Sequence, residues 1–266
     1  ALMREPELVA RCCTELASGA PDVPVSVKIR VGVADSARAA IEADEEALYD
    51  GLASFVDVVA REGGVHHFAL HARQAVLGGL SPAQNREVPP LRPALPRRLA
   101  ADFPHLSISL NGGIQNLAEA RAVLGTDGSA LAPPRAGSGV LSGVMVGRAV
   151  VSRPWTWATV DTDLYGAATN PAQNRLQLLE EYAAFAESIE MANPQRLRHL
   201  LVAPVVNLFA GEPNGKKFRV ALDSATKRSK EEVSFKSMLL GSARSTLSAE
   251  TLSVSPGAQW DFRERC

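Results

Sequence analysis

Cysteine is scarce in this chain of 266 residues: there are three, two of them adjacent at Cys12 and Cys13 and the third at Cys266. Neighbouring thiols cannot staple distant segments, and no Cys/His spacing suits a metal. A disulfide scaffold and a structural zinc site are therefore excluded, and a reducing compartment is expected. Charge of one sign is also lacking, because 28 Lys and Arg face 29 Asp and Glu for a formal charge of −1. That balance excludes a uniformly basic nucleic-acid coat protein and leaves room for a local basic face. No apolar run approaches the roughly 18 residues that a membrane-spanning helix requires, so no membrane segment is expected. What remains is ordinary for a globular protein, 46% hydrophobic and 21% charged, with length for one barrel-sized domain or two modest ones. The chain opens on Ala1 rather than Met, inside a loop-to-helix pattern. It reads as a piece of a longer chain whose targeting segment, if any, lies outside it.

Residues 107–114 read Ser-Ile-Ser-Leu-Asn-Gly-Gly-Ile, an apolar β-run that stops on Asn111-Gly112-Gly113 and leads into a helical pattern. Glycines at a strand end let backbone N–H groups approach a ligand, and a helix N-terminus adds positive potential for a phosphate. A second such run ends at Gly147-Arg148. Two further strands precede these. Residues 23–33 are β-branched but interrupted by Lys28, a placement that is costly unless the ammonium meets a phosphate, a carboxylate or a flavin carbonyl. Residues 66–73 follow, with His71 and Arg73 where that strand should end.

Helical spacing marks residues 6–16, which would put both Cys12 and Cys13 near the buried stripe, as well as residues 45–62, 91–102 and 117–124. Residues 74–90 form a long loop of the kind used as a lid or binding loop. Residues 125–142, rich in Gly, Ala, Pro and Ser, read as a flexible insertion, and residues 155–160 as a short helix.

After Asp161 the β-runs cease, and residues 174–191, 194–209 and 216–227 look helical. Between residues 192 and 236 lie nine basic side chains, Arg196, Arg198, Lys216, Lys217, Arg219, Lys227, Arg228, Lys230 and Lys236, against four acidic ones. The Ser-rich remainder from 237 reads as a mobile tail. The predicted organisation is an α/β portion over 1–165, a helical domain over 166–236 and a disordered tail over 237–266. Alternating strands and helices imply a parallel sheet, but four βα units are too few to close a barrel. Strand-end glycines on the last two strands fit the phosphate site of a TIM (β/α)8 barrel. These units would then be its C-terminal half, followed by an all-helical domain.

Taken in order, Pro24-Val25-Ser26-Val27-Lys28-Ile29-Arg30, His71-Ala72-Arg73, Gly79-Leu80-Ser81-Pro82 with Asn85-Arg86-Glu87 and Pro89-Pro90-Leu91, Asn111-Gly112-Gly113-Ile114 and Val144-Met145-Val146-Gly147-Arg148 resemble the tRNA-dihydrouridine synthases of the A-type subfamily. The resemblance runs from Ala1 to about Leu222. It implies an FMN-holding TIM barrel with a helical tRNA-binding domain, reduction of a D-loop uridine to 5,6-dihydrouridine with NADPH as reductant, and a monomeric state. It also implies a cytoplasmic or tRNA-containing organellar location.

By motif, Lys28 and His71 would contact the flavin ring, and Asn111, Gly112, Gly113, Gly147 and Arg148 its phosphate. Arg86 would touch tRNA, as would Lys216 and Arg219 in the stretch Gly211-Glu212-Pro213 to Arg219, where Lys216 stands for a more usual arginine and Phe218 for a tryptophan. Ala83 replaces a tRNA-contacting lysine. The family's proton-donating cysteine belongs to a motif ending just before Ala1, so no catalytic residue is assigned and the chain by itself is expected to be inactive. Two alternatives stay open: a Schiff-base aldolase-like barrel acting through Lys28, and a tRNA-binding remnant without turnover.

Overall fold

A computed structural model of the protein describes residues 1–125, 140–193, 195, 197–227 and 233–257. The chain divides into two compact units, Ala1–Val146 and Gly147–Cys266. In the first unit the helices begin and end where side-chain chemistry favours it. Helix α1 (Pro6–Gly19) carries proline in its first turn, where the missing N–H has no helical partner to lose. After β1 (Ser26–Arg30), β2 (Val33–Ala34) and α2 (Ala37–Ile41) comes α3 (Glu45–Gly63). Its N-cap Asp44 accepts a hydrogen bond from the Ala47 N–H at 2.8 Å, and Gly64 at φ 65° ends it. Strands β3 (His67–His71) and β4 (Ala75–Val76), helix α4 (Ala94–Asp102), strand β5 (Ser107–Asn111), helix α5 (Leu117–Leu124) and strand β6 (Gly143–Met145) complete the unit.

Strands β1, β3, β5 and β6 form one parallel sheet in chain order, and β2 and β4 pair separately, also in parallel. Because side chains alternate along a strand, the register sorts the sheet into two faces. Val27, Phe68 and Ile108 lie in one row and Ile29, Leu70, Leu110 and Val144 in the next. This face joins Leu52, Phe55, Val56 and Val59 of α3 and Leu95 and Leu99 of α4 in the core. The opposite face carries Lys28, Ala69, Ser109 and Gly143 in one row and Arg30, His71, Asn111 and Met145 in the next. Lys28 therefore does not interrupt a strand buried on both sides, as the β-branched run suggested. It lies between Ser26 and Arg30 on the face of β1 opposite Val27 and Ile29, and the residue is exposed.

Every described element of the second unit is a helix: α6 (Arg148–Ser152), α7 (Val160–Tyr165), α8 (Arg175–Ala192), α9 (Arg198–Val202), α10 (Gly215–Thr226), α11 (Phe235–Thr246) and α12 (Ala249–Ser253), with a 3-10 turn at Pro154–Trp157. The unit begins at Gly147, ahead of the boundary near 165 that the last β-run suggested. The reading of residues from 237 as a tail is overturned as far as Ser253. Helix α11 buries Phe235, Met238, Leu239, Leu240 and Ala243, and α12 buries Thr251 and Leu252. These side chains join Leu179, Ala183, Phe209, Phe218 and Leu222 in one core, where the Phe209 and Phe218 rings meet edge to face at 5.1 Å. Serine content hid this helix, because two of its serines cap it or bond back to the preceding turn: Ser234 receives the Ser237 N–H, and Ser242 donates to the Met238 carbonyl. Most of the insertion expected at 125–142 lies outside the described residues.

Candidate functional site

The carboxyl end of the parallel sheet gathers several of the residues singled out by sequence. Lys28 lies opposite Ala69, while His71 lies opposite both Arg30 and Asn111, so Lys28, His71 and Asn111 share one face of three adjacent strands. Desolvation, and secondarily the Arg30 guanidinium, hold the Lys28 ammonium below its ordinary pKa. His71 is buried. Asn111 donates through Nδ2 to the Met145 carbonyl at 2.6 Å, tying the end of β5 to β6.

Immediately beyond Asn111, Gly112 and Gly113 adopt φ 97° and 85°. A Cβ on Gly112 would lie 2.6 Å from His71 Cδ2, and one on Gly113 would lie 3.0 Å from Leu91 Cδ1. Glycine is thus required here both by backbone conformation and by the close approach of neighbours. A cavity of about 370 Å³ lined by Leu91, Pro93, Leu110, Gly112, Gly113 and Glu119 shares these two glycines.

The loop after β4 is anchored to the same strand ends. Ser81 and Gln84 cap one another, the Gln84 N–H donating to Ser81 Oγ and the Ser81 N–H to Gln84 Oε1. Asn85 uses both ends of its amide on the Val76 backbone. Arg30 donates to the Gln74 and Asn85 carbonyls at 3.3 and 3.0 Å, and Arg73 to those of Glu87 and Pro89. Arg86 sits in a 3-10 turn of this loop with its side chain exposed. Sequence reasoning noticed Arg73 at a strand end but gave neither it nor Arg30 a task. The available signal was the spacing Lys28-Ile29-Arg30 and His71-Ala72-Arg73, which puts Arg30 on the face of Lys28 and a second arginine just past the end of β3.

In the second unit, Gly147 is the N-cap of α6 and Arg148 its first residue. The turn before α10 has Asn214 at φ 60°, and Gly215 lies where a Cβ would come within 2.0 Å of the Phe209 carbonyl oxygen. Lys216, Lys217 and Arg219 are exposed on α10, and a groove of about 580 Å³ is lined by Glu212, Asn214, Lys216, Lys217, Val220 and Ala221.

Two charges of the expected basic stretch are structural instead. Arg198 pairs with Glu190 at 2.7 Å inside the core, and Glu212 is taken up by Arg175, whose guanidinium also stands over Trp155. Arg196, Arg228 and Lys230 lie outside the described residues. Of the adjacent cysteines, Cys13 is buried, with its thiol pKa raised by burial and by Cys12, whereas Cys12 is exposed, because consecutive helix positions point about 100° apart. Among the described residues no cluster of His, Cys, Asp and Glu could hold a metal, and no helix is long and apolar enough to cross a membrane.

These features define an α/β protein whose parallel sheet ends in a polar face beside a glycine turn, accompanied by a helical unit with exposed lysine and arginine. Residues 1–243 match the dihydrouridine synthase (Dus) family, and the chain belongs to it. Among curated relatives, the tRNA-dihydrouridine(20/20a) synthase of Vibrio vulnificus is 36% identical over 218 residues, covering 82% of this chain and 58% of the relative. The protein of the same name from Synechocystis sp. is 34% identical over 230 residues, covering 85% of this chain and 59% of the relative. That from Shewanella oneidensis is 36% identical, with 82% and 56% covered. The chain thus spans a little over half the length of the curated relatives it matches.

Proposed function

We propose that this chain supplies the flavin-facing sheet and the tRNA-gripping helices of an FMN-dependent tRNA reductase that converts a D-loop uridine to 5,6-dihydrouridine with NADPH. In this reading its four-stranded sheet is the C-terminal half of a TIM barrel and its helical unit the tRNA-binding domain. The observation that carries it is the placement of Lys28, His71 and Asn111 on one face of adjacent strands, next to a glycine turn whose positive φ angles and close neighbours disfavour any side chain.

The residues fit the group. A flavin ring presents carbonyl oxygens and ring nitrogens, for which an ammonium and an imidazole are suitable partners, and a phosphate suits a turn whose backbone can be approached closely. When bound, FMN would supply the hydride. Lys28 would donate hydrogen bonds to the ring, its desolvation making an acceptor the more favourable. His71, fixed by burial against Gly112, would orient it. Asn111, Gly112 and Gly113 would hold the phosphate. The resemblance assigns Gly147 and Arg148 to the phosphate as well, and that assignment stands on the motif alone. Arg86, Lys216 and Arg219 would contact the sugar-phosphate backbone of tRNA.

The test is the flavin content of the purified full-length protein and of its Lys28→Ala and His71→Ala variants, with dihydrouridine formation on unmodified tRNA measured alongside. The expected result is a flavin-bearing parent and variants that lose flavin and turnover together. A colourless parent that is trapped on a carbonyl substrate by borohydride would favour the Schiff-base alternative for Lys28.

A further inference from the structure

We propose that Arg30 and Arg73 are positioning residues that clamp the 77–90 loop to the ends of β1 and β3 and thereby fix the place from which Arg86 meets the RNA backbone. The inference rests on the tRNA reading of Arg86 given above. Two guanidiniums from adjacent strand ends are spent on loop and strand-end carbonyls: Arg30 on Gln74 and Asn85, and Arg73 on Glu87 and Pro89. The four carbonyls bracket Arg86 along the chain, Asn85 immediately before it and Glu87 immediately after. A loop joined only by its own turns would not need two arginines, since the Ser81 and Gln84 cap and the Asn85 amide already close it.

The arrangement concentrates like charge, because Arg73 and Arg86 both disfavour the protonated form of Arg30 beyond the effect of its burial. Carbonyl oxygens compensate Arg30 and Arg73, whereas the Arg86 side chain is exposed and makes no hydrogen bond among the described residues. An RNA phosphate arriving at Arg86 would relieve the crowding, which gives the clamp a purpose beyond holding the loop in place.

The experiment uses the full-length holoenzyme and compares Arg73→Gln, Arg30→Gln and Arg86→Gln, together with the double variants Arg73→Gln/Arg86→Gln and Arg30→Gln/Arg86→Gln. Amide hydrogen exchange across residues 77–90 without tRNA and the tRNA dissociation constant at fixed salt are the readouts. The two clamp variants should each speed exchange in 77–90 about tenfold or more while β3 and β5 stay protected. Each should weaken tRNA binding about as much as Arg86→Gln does, by roughly 5- to 30-fold for one lost phosphate contact, and the double variants should be no worse than Arg86→Gln alone. Unchanged exchange in 77–90, or tRNA losses that multiply in the double variants, would overturn the clamp. If a single clamp substitution loosens the whole sheet, Arg73→Lys and Arg30→Lys keep the charge but place all the donors on one nitrogen, and exchange must then be confined to the loop for the proposal to survive. If Arg86→Gln itself leaves tRNA binding unaltered while loop exchange responds as expected, the clamp stands and the tRNA assignment of Arg86 is what fails.

Discussion

Gly112 is the residue on which the sheet end depends most directly. At φ 97°, with its missing Cβ directed to within 2.6 Å of the His71 ring, alanine would incur both backbone strain and a contact with a buried side chain. Gly112→Ala is expected to cost about 1–3 kcal/mol of stability, read from urea denaturation, and to lower flavin content further than the stability loss alone explains. Lys28 makes the opposite kind of prediction. Its ammonium binds a proton less tightly in the folded chain than in the unfolded one, so between the folded and the ordinary lysine pKa the unfolded state holds more protons and stability rises with pH. Lys28→Met should therefore raise the urea midpoint slightly at pH 7, and the gain should shrink as the pH approaches the ordinary lysine value. A loss of equal size at both pH values would contradict the desolvation account.

At the scale of elements, two ion pairs buried within the helical unit join its pieces. Arg198 of α9 pairs with Glu190 of α8 and also donates to the Val233 carbonyl, and the Arg198 and Glu190 side chains are only 3% and 10% exposed. Removing one partner leaves an uncompensated buried charge, so Arg198→Ala should cost about 3–5 kcal/mol, and the paired Glu190→Met/Arg198→Met change should recover much of it. Calorimetric or urea midpoints of the three variants provide the check. On α10, Lys216 and Arg219 lie three positions apart on the exposed side. Lys216→Ala and Arg219→Ala should each weaken tRNA binding and reduce the slope of log affinity against log salt by about 1, whereas a slope unchanged in both would remove them from the RNA interface.

Legibility in the sequence followed how far one periodicity sufficed. Helix α3 was plain from Leu48, Leu52, Phe55, Val56 and Val59, and the glycine turn after β5 from its residue types alone. The two-faced character of β1 was not, because Val23, Val25, Val27 and Ile29 dominate the run and the outward Ser26, Lys28 and Arg30 look like interruptions until the strand is paired. Helix α11 was missed because propensity and composition cannot show that Met238, Leu239 and Ala243 meet Phe218 and Leu222 from a distant segment. The arginine clamp was invisible for a related reason: its partners are backbone carbonyls, which carry no sequence signature.

The whole molecule poses a problem of sheet edges. The order β1-β3-β5-β6 gives each outer strand a single neighbour within that sheet among the described residues, and the row from Lys28 to Gly143 lies on the face opposite the one that joins α3 and α4 in the core. Closed barrels abolish edges, and open sheets usually protect them with bulges, charge or a covering element. Lys28 and Arg30 put charge on the polar face near β1, but β6 offers Gly143, Val144 and Met145, with no charge among them. An edge strand that carries no charge lacks one of the features that discourage pairing with a second chain. The 266 residues expressed alone should therefore form species larger than the 28.3 kDa monomer in sedimentation or light scattering. Substituting lysine for Met145, which is partly exposed at the end of β6, should shift the distribution toward monomer. A monodisperse 28.3 kDa preparation that melts cooperatively would mean that the edges are already protected within the chain.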